Sequence, residues 1–178
     1  MADMRDRIRG DENWFQRLAE SIPGFDGYRE REIRRAGDRL VRDHLVKMLD
    51  EQRRRLEQLM GESGTSNIEL TSKIGRTQRH LTTVHDRIDH ADYGYTGFFD
   101  AVKINEEGLD RLYEYDVKLI EDVKQLAKSI DRLEKTEMNN EKFRELVEDI
   151  NEQISALESK IRDREEIAQD IVPEDDTE

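Results

Sequence analysis

The chain of 178 residues contains no cysteine, which excludes disulfides, thiol catalysis and cysteine-ligated zinc together and fits a reducing compartment. It has two prolines, Pro23 and Pro173, so the long stretch between them is free of the strongest helix breaker. No apolar run approaches the roughly 20 residues that span a bilayer. The first residues, with Asp3 and Asp6 among them, lack the hydrophobic segment of a signal peptide, and a cytoplasmic location is the expectation. Signatures of chemistry are missing too: there is no Gly-Lys-Ser/Thr phosphate loop, no Gly-x-Ser-x-Gly elbow and no Glu-x-x-His pair of a di-iron bundle. Of the four histidines, His80, His85 and His90 are spaced by five, which turns each about 140° from the last on a helix, so they do not converge as metal ligands. His44 stands apart, at the edge of an apolar stripe. The expectation is a protein with no cofactor, no metal and no catalytic residues.

What the chain does have is charge and rhythm. Charged residues make up 41% and hydrophobic ones only 34%, which suits thin helical packing better than a thick globular core. Such a composition also fits disorder, but the apolar residues keep a register that a disordered segment has no reason to keep. They fall at Leu109, Leu112, Leu119, Val123, Leu126, Ile130 and Leu133, and resume at Phe143, Val147, Ile150, Ile154, Leu157 and Ile161. Steps of three and four keep them on one stripe of a helix.

The same reading extends upstream. Asp11 can cap a short helix ending near Ser21, with Trp14, Phe15, Leu18 and Ile22 on one side and a Pro23-Gly24 turn after it. A long helix follows from about Tyr28 to Gly61. Ser66 and Glu69 have the spacing of a capping box for the next, which fails at Tyr93-Gly94-Tyr95-Thr96-Gly97. The pattern predicts an all-α fold: an elongated antiparallel bundle of four long helices over 28–172, an N-terminal arm over 1–27 carrying the short helix, and a disordered acidic tail over 173–178.

Alternating helix directions would bring the start of the first long helix, the end of the second and the start of the third to one end. Ten of the eleven aromatics fall there, and Phe143 alone belongs to the other end. An end-plug of the thin core is the plain explanation. A partner-binding pole made of Trp14, Phe15, Phe25, Tyr28, Arg31, Arg35, Tyr93, Tyr95, Phe98 and Phe99 is the sharper one, since aromatics with arginine typify interface anchors. Asp116 interrupts the stripe between Leu112 and Leu119. It is expected to be a buried polar pin of helix register, paired with Arg34, Arg35, Arg39 or Arg87. Thr77 and Gln52 are milder exceptions of the same kind.

Net charge is −13, and the excess lies in the second half: residues 1–92 hold 18 basic and 18 acidic side chains. Arginines cluster at Arg34–Arg35 and Arg53–Arg54–Arg55, but Glu30, Glu32, Asp38, Asp43, Asp50 and Glu51 are interleaved with them, which argues against nucleic-acid binding.

Two strings, IPGFDGYREREIRRAGDRL at 22–40 and YGYTGFFDAVKINEEGLDRLYEYD at 93–116, resemble segments of uncharacterised bacterial helical proteins; the resemblance implies no function. In outline, a short amphipathic start before long charged helices also resembles the phage-shock class of membrane-remodelling proteins, from which the Pro-Gly turn and the aromatic loop depart. The expected function is non-enzymatic: a helical interaction or scaffold protein that binds a protein partner, or itself, through the aromatic–arginine pole or an exposed helix face. A peripheral membrane protein, with the Trp14–Phe15–Leu18–Ile22 side in the interface, is the alternative. A small-ligand sensor with its pocket at the pole comes third.

Overall fold

In a computed structural model of the chain, residues 15–25, 34–63, 68–90, 106–138 and 140–170 are described. A short helix, α1 (15–21), precedes four long ones: α2 (Arg34–Ser63), α3 (Ile68–His90), α4 (Glu106–Glu134) and α5 (Glu141–Asp170). The architecture is the expected all-α elongated bundle. At 1.5 Å per residue the 30-residue helices are about 45 Å long. The acidic tail lies outside the described residues.

The stripes read from sequence are the core. Val41, Leu45, Leu49, Leu56 and Leu59 of α2 meet Leu70, Ile74, Leu81 and Val84 of α3, Leu119, Val123, Leu126 and Ile130 of α4, and Phe143, Ile150, Ile154 and Leu157 of α5, all buried in one cluster. Two helix boundaries follow from local chemistry. After α1 the chain turns at Pro23-Gly24, where Gly24 takes a φ of 87° that side chains with a Cβ rarely adopt. The carboxamide Oδ1 of Asn140 accepts from the backbone N–H of Lys142 at 3.0 Å, capping the start of α5.

Cross-helix contacts set the directions. Within the α2–α3 hairpin, Ser63 meets Thr71 and Gly75 approaches Met60. Within the α4–α5 hairpin, Tyr115 meets Asp163, Lys160 meets Asp122 and Gln153 meets Ser129. Both hairpins are antiparallel. Between hairpins the order rises together: Lys73 with Glu148, His80 with Glu158 and Arg87 with Glu165 join α3 to α5, while His44 faces Lys124 and Arg55 reaches Glu134, joining α2 to α4. The bundle is therefore two antiparallel hairpins side by side, with α2 beside α4 and α3 beside α5, each of these pairs parallel. Consecutive helices are usually neighbours, but α3 and α4 are not. Instead they occupy a diagonal and make no extensive contact. The stripe of α4 is wide enough, with Tyr113, Val117 and Ile120 buried beside its main row, to face α2 and α5 at once.

The alternation of direction still brings the starts of α2 and α4 and the ends of α3 and α5 to one end. Phe143, fully buried, closes the opposite one.

Gly75 shows how closely the first hairpin packs. A Cβ there would stand 3.2 Å from the Met60 sulfur and 3.5 Å from an Arg79 guanidinium nitrogen, both ends of flexible side chains. Gly75→Ala is expected to leave stability unchanged or raise it by less than about 1 kcal/mol, because the helix gains propensity while Met60 shifts. Gly75→Leu is expected to cost about 1–3 kcal/mol by overpacking. Urea unfolding of both variants measures the difference; equal midpoints would mean that the hairpin has room to spare.

Candidate functional site

The short helix places the first aromatic residues. Leu18, Ile22 and Phe25 are buried in the common core, with Phe15 packed partly against it. The Phe25 ring lies between Phe15, at a centroid distance of 5.5 Å, and Tyr113 of α4, at 6.1 Å with the rings near perpendicular at 80°. Edge-to-face packing of this kind favours the ring quadrupoles. Tyr113 belongs to the first turns of α4, so this aromatic cluster sits at the end where α2 and α4 begin. Polar contacts on the outside tie α1 down: Arg17 pairs with Glu121, and the Lys124 ammonium donates to the Ser21 hydroxyl at 3.1 Å.

Phe15 and Phe25 are thus together. Of the other proposed pole residues, Trp14, Tyr28, Arg31, Tyr93, Tyr95, Phe98 and Phe99 lie outside the described residues, and Arg35 is described only in its helical backbone. The membrane reading laid the Trp14–Phe15–Leu18–Ile22 side of the short helix in a bilayer; of that side, Leu18 and Ile22 are 0–1% exposed and spent on the protein's own core. The thin bundle needs this apolar surface to cover the seam between α2 and α4.

Just inside this end lies a belt of polar contacts made by three consecutive residues of α5. Asp163 accepts from the Tyr115 hydroxyl at 3.2 Å. Arg164 donates to both carboxylate oxygens of Asp116, at 2.5 and 3.1 Å. Glu165 accepts two bonds from Arg87 of α3, at 3.0 and 2.7 Å. Burial and the nearby Asp163 carboxylate push the Tyr115 phenol up to about 12. Asp116 is fully buried. The arginines the sequence suggests for it, Arg34, Arg35, Arg39 and Arg87, are those that fall at the same end. The structure pairs it with Arg164, because its face of α4 turns to α5, while Arg39 is exposed beside Asp43 and Arg87 is engaged by Glu165. Arg164 occupies the stripe position after Ile161, a signal present in the sequence: both hairpin partners break their stripes at matching distances from the turn.

Several other charged groups are held by one another. Arg53 and Arg54 both grip Asp50, whose carboxyl the Arg53 guanidinium holds below its usual range. Arg55 spans to Asp131 and Glu134, which raise its affinity for its proton further. The arginine triplet is thus neutralised on the protein itself. His80 sits between Asn151, at 3.2 Å, and Glu158, at 3.1 Å, and its hydrogen bond holds the Glu158 carboxyl below the usual range. His85 pairs with Asp86, and His90 donates to the Asp86 carbonyl. Among the described residues no cluster of three or more histidine, aspartate or glutamate side chains is arranged to hold a metal ion, and no helix is long and apolar enough to cross a membrane.

Removing the Asp116 carboxylate would leave Arg164 buried without its strongest partner. Asp116→Ala is expected to cost about 3–5 kcal/mol in urea unfolding, whereas Asp116→Leu combined with Arg164→Leu recovers most of it. A loss below about 1 kcal/mol for the single variant would show that the ion pair does not hold the α4–α5 register.

Comparison of the chain with protein-family models, with curated proteins and with solved structures found no match.

Proposed function

We propose that the protein is a non-enzymatic helical interaction scaffold that engages a protein partner through its aromatic end. The observation that carries this reading is Phe15, only partly buried where it packs on the buried Phe25 and Tyr113 rings at the end where α2 and α4 begin, beside the Tyr115–Asp163, Asp116–Arg164 and Arg87–Glu165 belt. Rings on a rigid base lose little entropy on binding, which is what an interface anchor needs.

The flanks offer less to a partner. Along them several charged side chains are tied in pairs from helix to helix, and Ile68, 78% exposed at the opposite end, is the one large apolar side chain standing out among the described residues. Paired surface charges contribute little affinity and largely screen one another. The exposed-flank version of the scaffold reading is therefore weaker than the version that uses the end. The membrane reading loses its main support with the burial of Leu18 and Ile22.

Site-specific crosslinking separates these possibilities. A photoreactive phenylalanine analogue replaces Phe15 in one sample and the exposed Glu148 of the flank in another, both in cells expressing the full chain. Adducts are expected several-fold more abundant from position 15. Equal yields from both positions, or no adduct from either together with a strictly monomeric protein in sedimentation, would overturn the proposal.

A further inference from the structure

Two outward rows of the α4–α5 hairpin carry opposite charge. On α4, Lys118, Glu121, Gln125, Lys128, Arg132 and Lys135, the last just past the helix end, follow in steps of three and four and are all exposed. The one carboxylate among them, Glu121, is met by Arg17 of α1, so the row is basic. On α5 the corresponding row is Glu145, Asp149, Glu152, Ala156, Ser159 and Asp163, again in steps of four and three, exposed throughout and free of basic residues. Apart from Glu121 and from Asp163, which takes the Tyr115 hydroxyl, the charged members of both rows form no ion pair among the described residues. This half of the chain is the acidic one, so a basic row within it is not a by-product of composition.

The two rows are in register. The contacts Tyr115–Asp163, Asp122–Lys160 and Ser129–Gln153 fix which residues of α4 and α5 stand at one level. To within a turn, Lys118 is level with Asp163, Gln125 with Ala156, Lys128 with Glu152, Arg132 with Asp149 and Lys135 with Glu145. Within one molecule these side chains point outward and do not meet. A two-fold axis parallel to the helices lays the α4 of a second copy antiparallel on this α5, and its α5 on this α4, with every level unchanged. Each cation of one copy then faces a carboxylate of the other, and Gln125 faces the small Ala156 at the middle.

We propose that the outer face of the α4–α5 hairpin is a self-recognition surface that joins two copies of this chain through these charge-matched rows. The proposal goes beyond the interaction reading above and does not depend on it, because no ring of the aromatic end takes part. A second copy fits the face better than a polyanion does. A nucleic acid or an anionic bilayer would be drawn to the α4 row but repelled by the acidic row beside it and by the net charge of −13. The face measures about 40 Å by about 20 Å, on the order of 800 Å², which is one side of an interface of standard size. Among the described residues no large apolar side chain is exposed on it, so the attraction is electrostatic. Two copies of like net charge repel at long range, but at about 0.1 M salt that field fades beyond about 10 Å, whereas facing pairs act at contact.

Sedimentation equilibrium of the full chain tests this over about 10 µM to about 1 mM protein. At about 0.1 M salt the mass is expected to rise from 21.1 kDa toward twice that value, and at about 1 M salt to stay near the monomer. Two double variants reverse one row each: Lys128→Glu with Arg132→Glu, and Asp149→Lys with Glu152→Lys. Each alone should associate at least about tenfold more weakly than wild type. For the second this runs against its reduced net negative charge, which by itself would favour association. Mixed in equal amounts, the two should recover the wild-type mass, since each reversed row meets its opposite on the other chain. A wild-type chain that stays at 21.1 kDa throughout, or variants that melt like wild type yet do not recover on mixing, overturns the proposal. If a charge reversal unfolds either variant, cysteine pairing decides, because the natural chain has no cysteine. A mixture of Gln125→Cys and Ala156→Cys chains, mildly oxidised, should give the mixed disulfide several-fold above either symmetric one; equal yields, or none, overturn the proposal.

Discussion

Narrow apolar stripes on charge-rich helices are the constraint from which the rest of the molecule follows. One such stripe cannot be hidden by a single neighbour, because a buried row three or four residues apart needs side chains from at least two sides to exclude water. Four rods around a common axis meet that need with little apolar material. The cost is a seam on each outer side, where only long polar side chains cover the row beneath. On α3 and α5 the cover consists of cross-helix pairs such as Lys73–Glu148 and His80–Glu158. On α2 and α4 it includes the short helix itself.

This difference between the two seams gives the molecule its asymmetry. The α3–α5 side carries cross-helix pairs of charges whose net contribution to stability is small. The α2–α4 side is closed by Leu18, Ile22 and Phe25, a separate piece of chain entering from the arm. A seam closed by a separate segment is one that can open without unfolding the long helices, since local openings follow the least stabilised parts of a fold. Phe15 and Phe25 belong both to the aromatic cluster and to the segment that closes this seam, so opening the seam would take the cluster apart.

The buried Asp116–Arg164 pair plays a different part. A continuous apolar stripe tolerates a slip of one helix past another by a turn, because one leucine replaces another at small cost. Two charges that must meet inside the core tolerate no such slip. A slipped register would leave both ions buried apart, on top of the expense of taking them out of water. The polar belt that includes it, through Tyr115–Asp163 and Arg87–Glu165, extends the same restriction to α3.

Much of the fold was legible in the residue order. The stripes of α2 to α5, the stop at Pro23-Gly24, the cap at Asn140 and the anomaly of Asp116 are local properties, set by spacing and by backbone chemistry within a few residues. These suffice to determine four long helices, a short amphipathic one and a buried carboxylate. What they cannot contain is which helix lies beside which. A stripe reports that a face is buried but not what buries it, so α3 and α4 could equally be neighbours or diagonal, Asp116 could meet any arginine of its level, and the apolar side of α1 could face lipid or protein. Only the tertiary packing chose α5 for Asp116 and the α2–α4 seam for Leu18 and Ile22, because that choice depends on the joint fit of all four stripes rather than on any one of them.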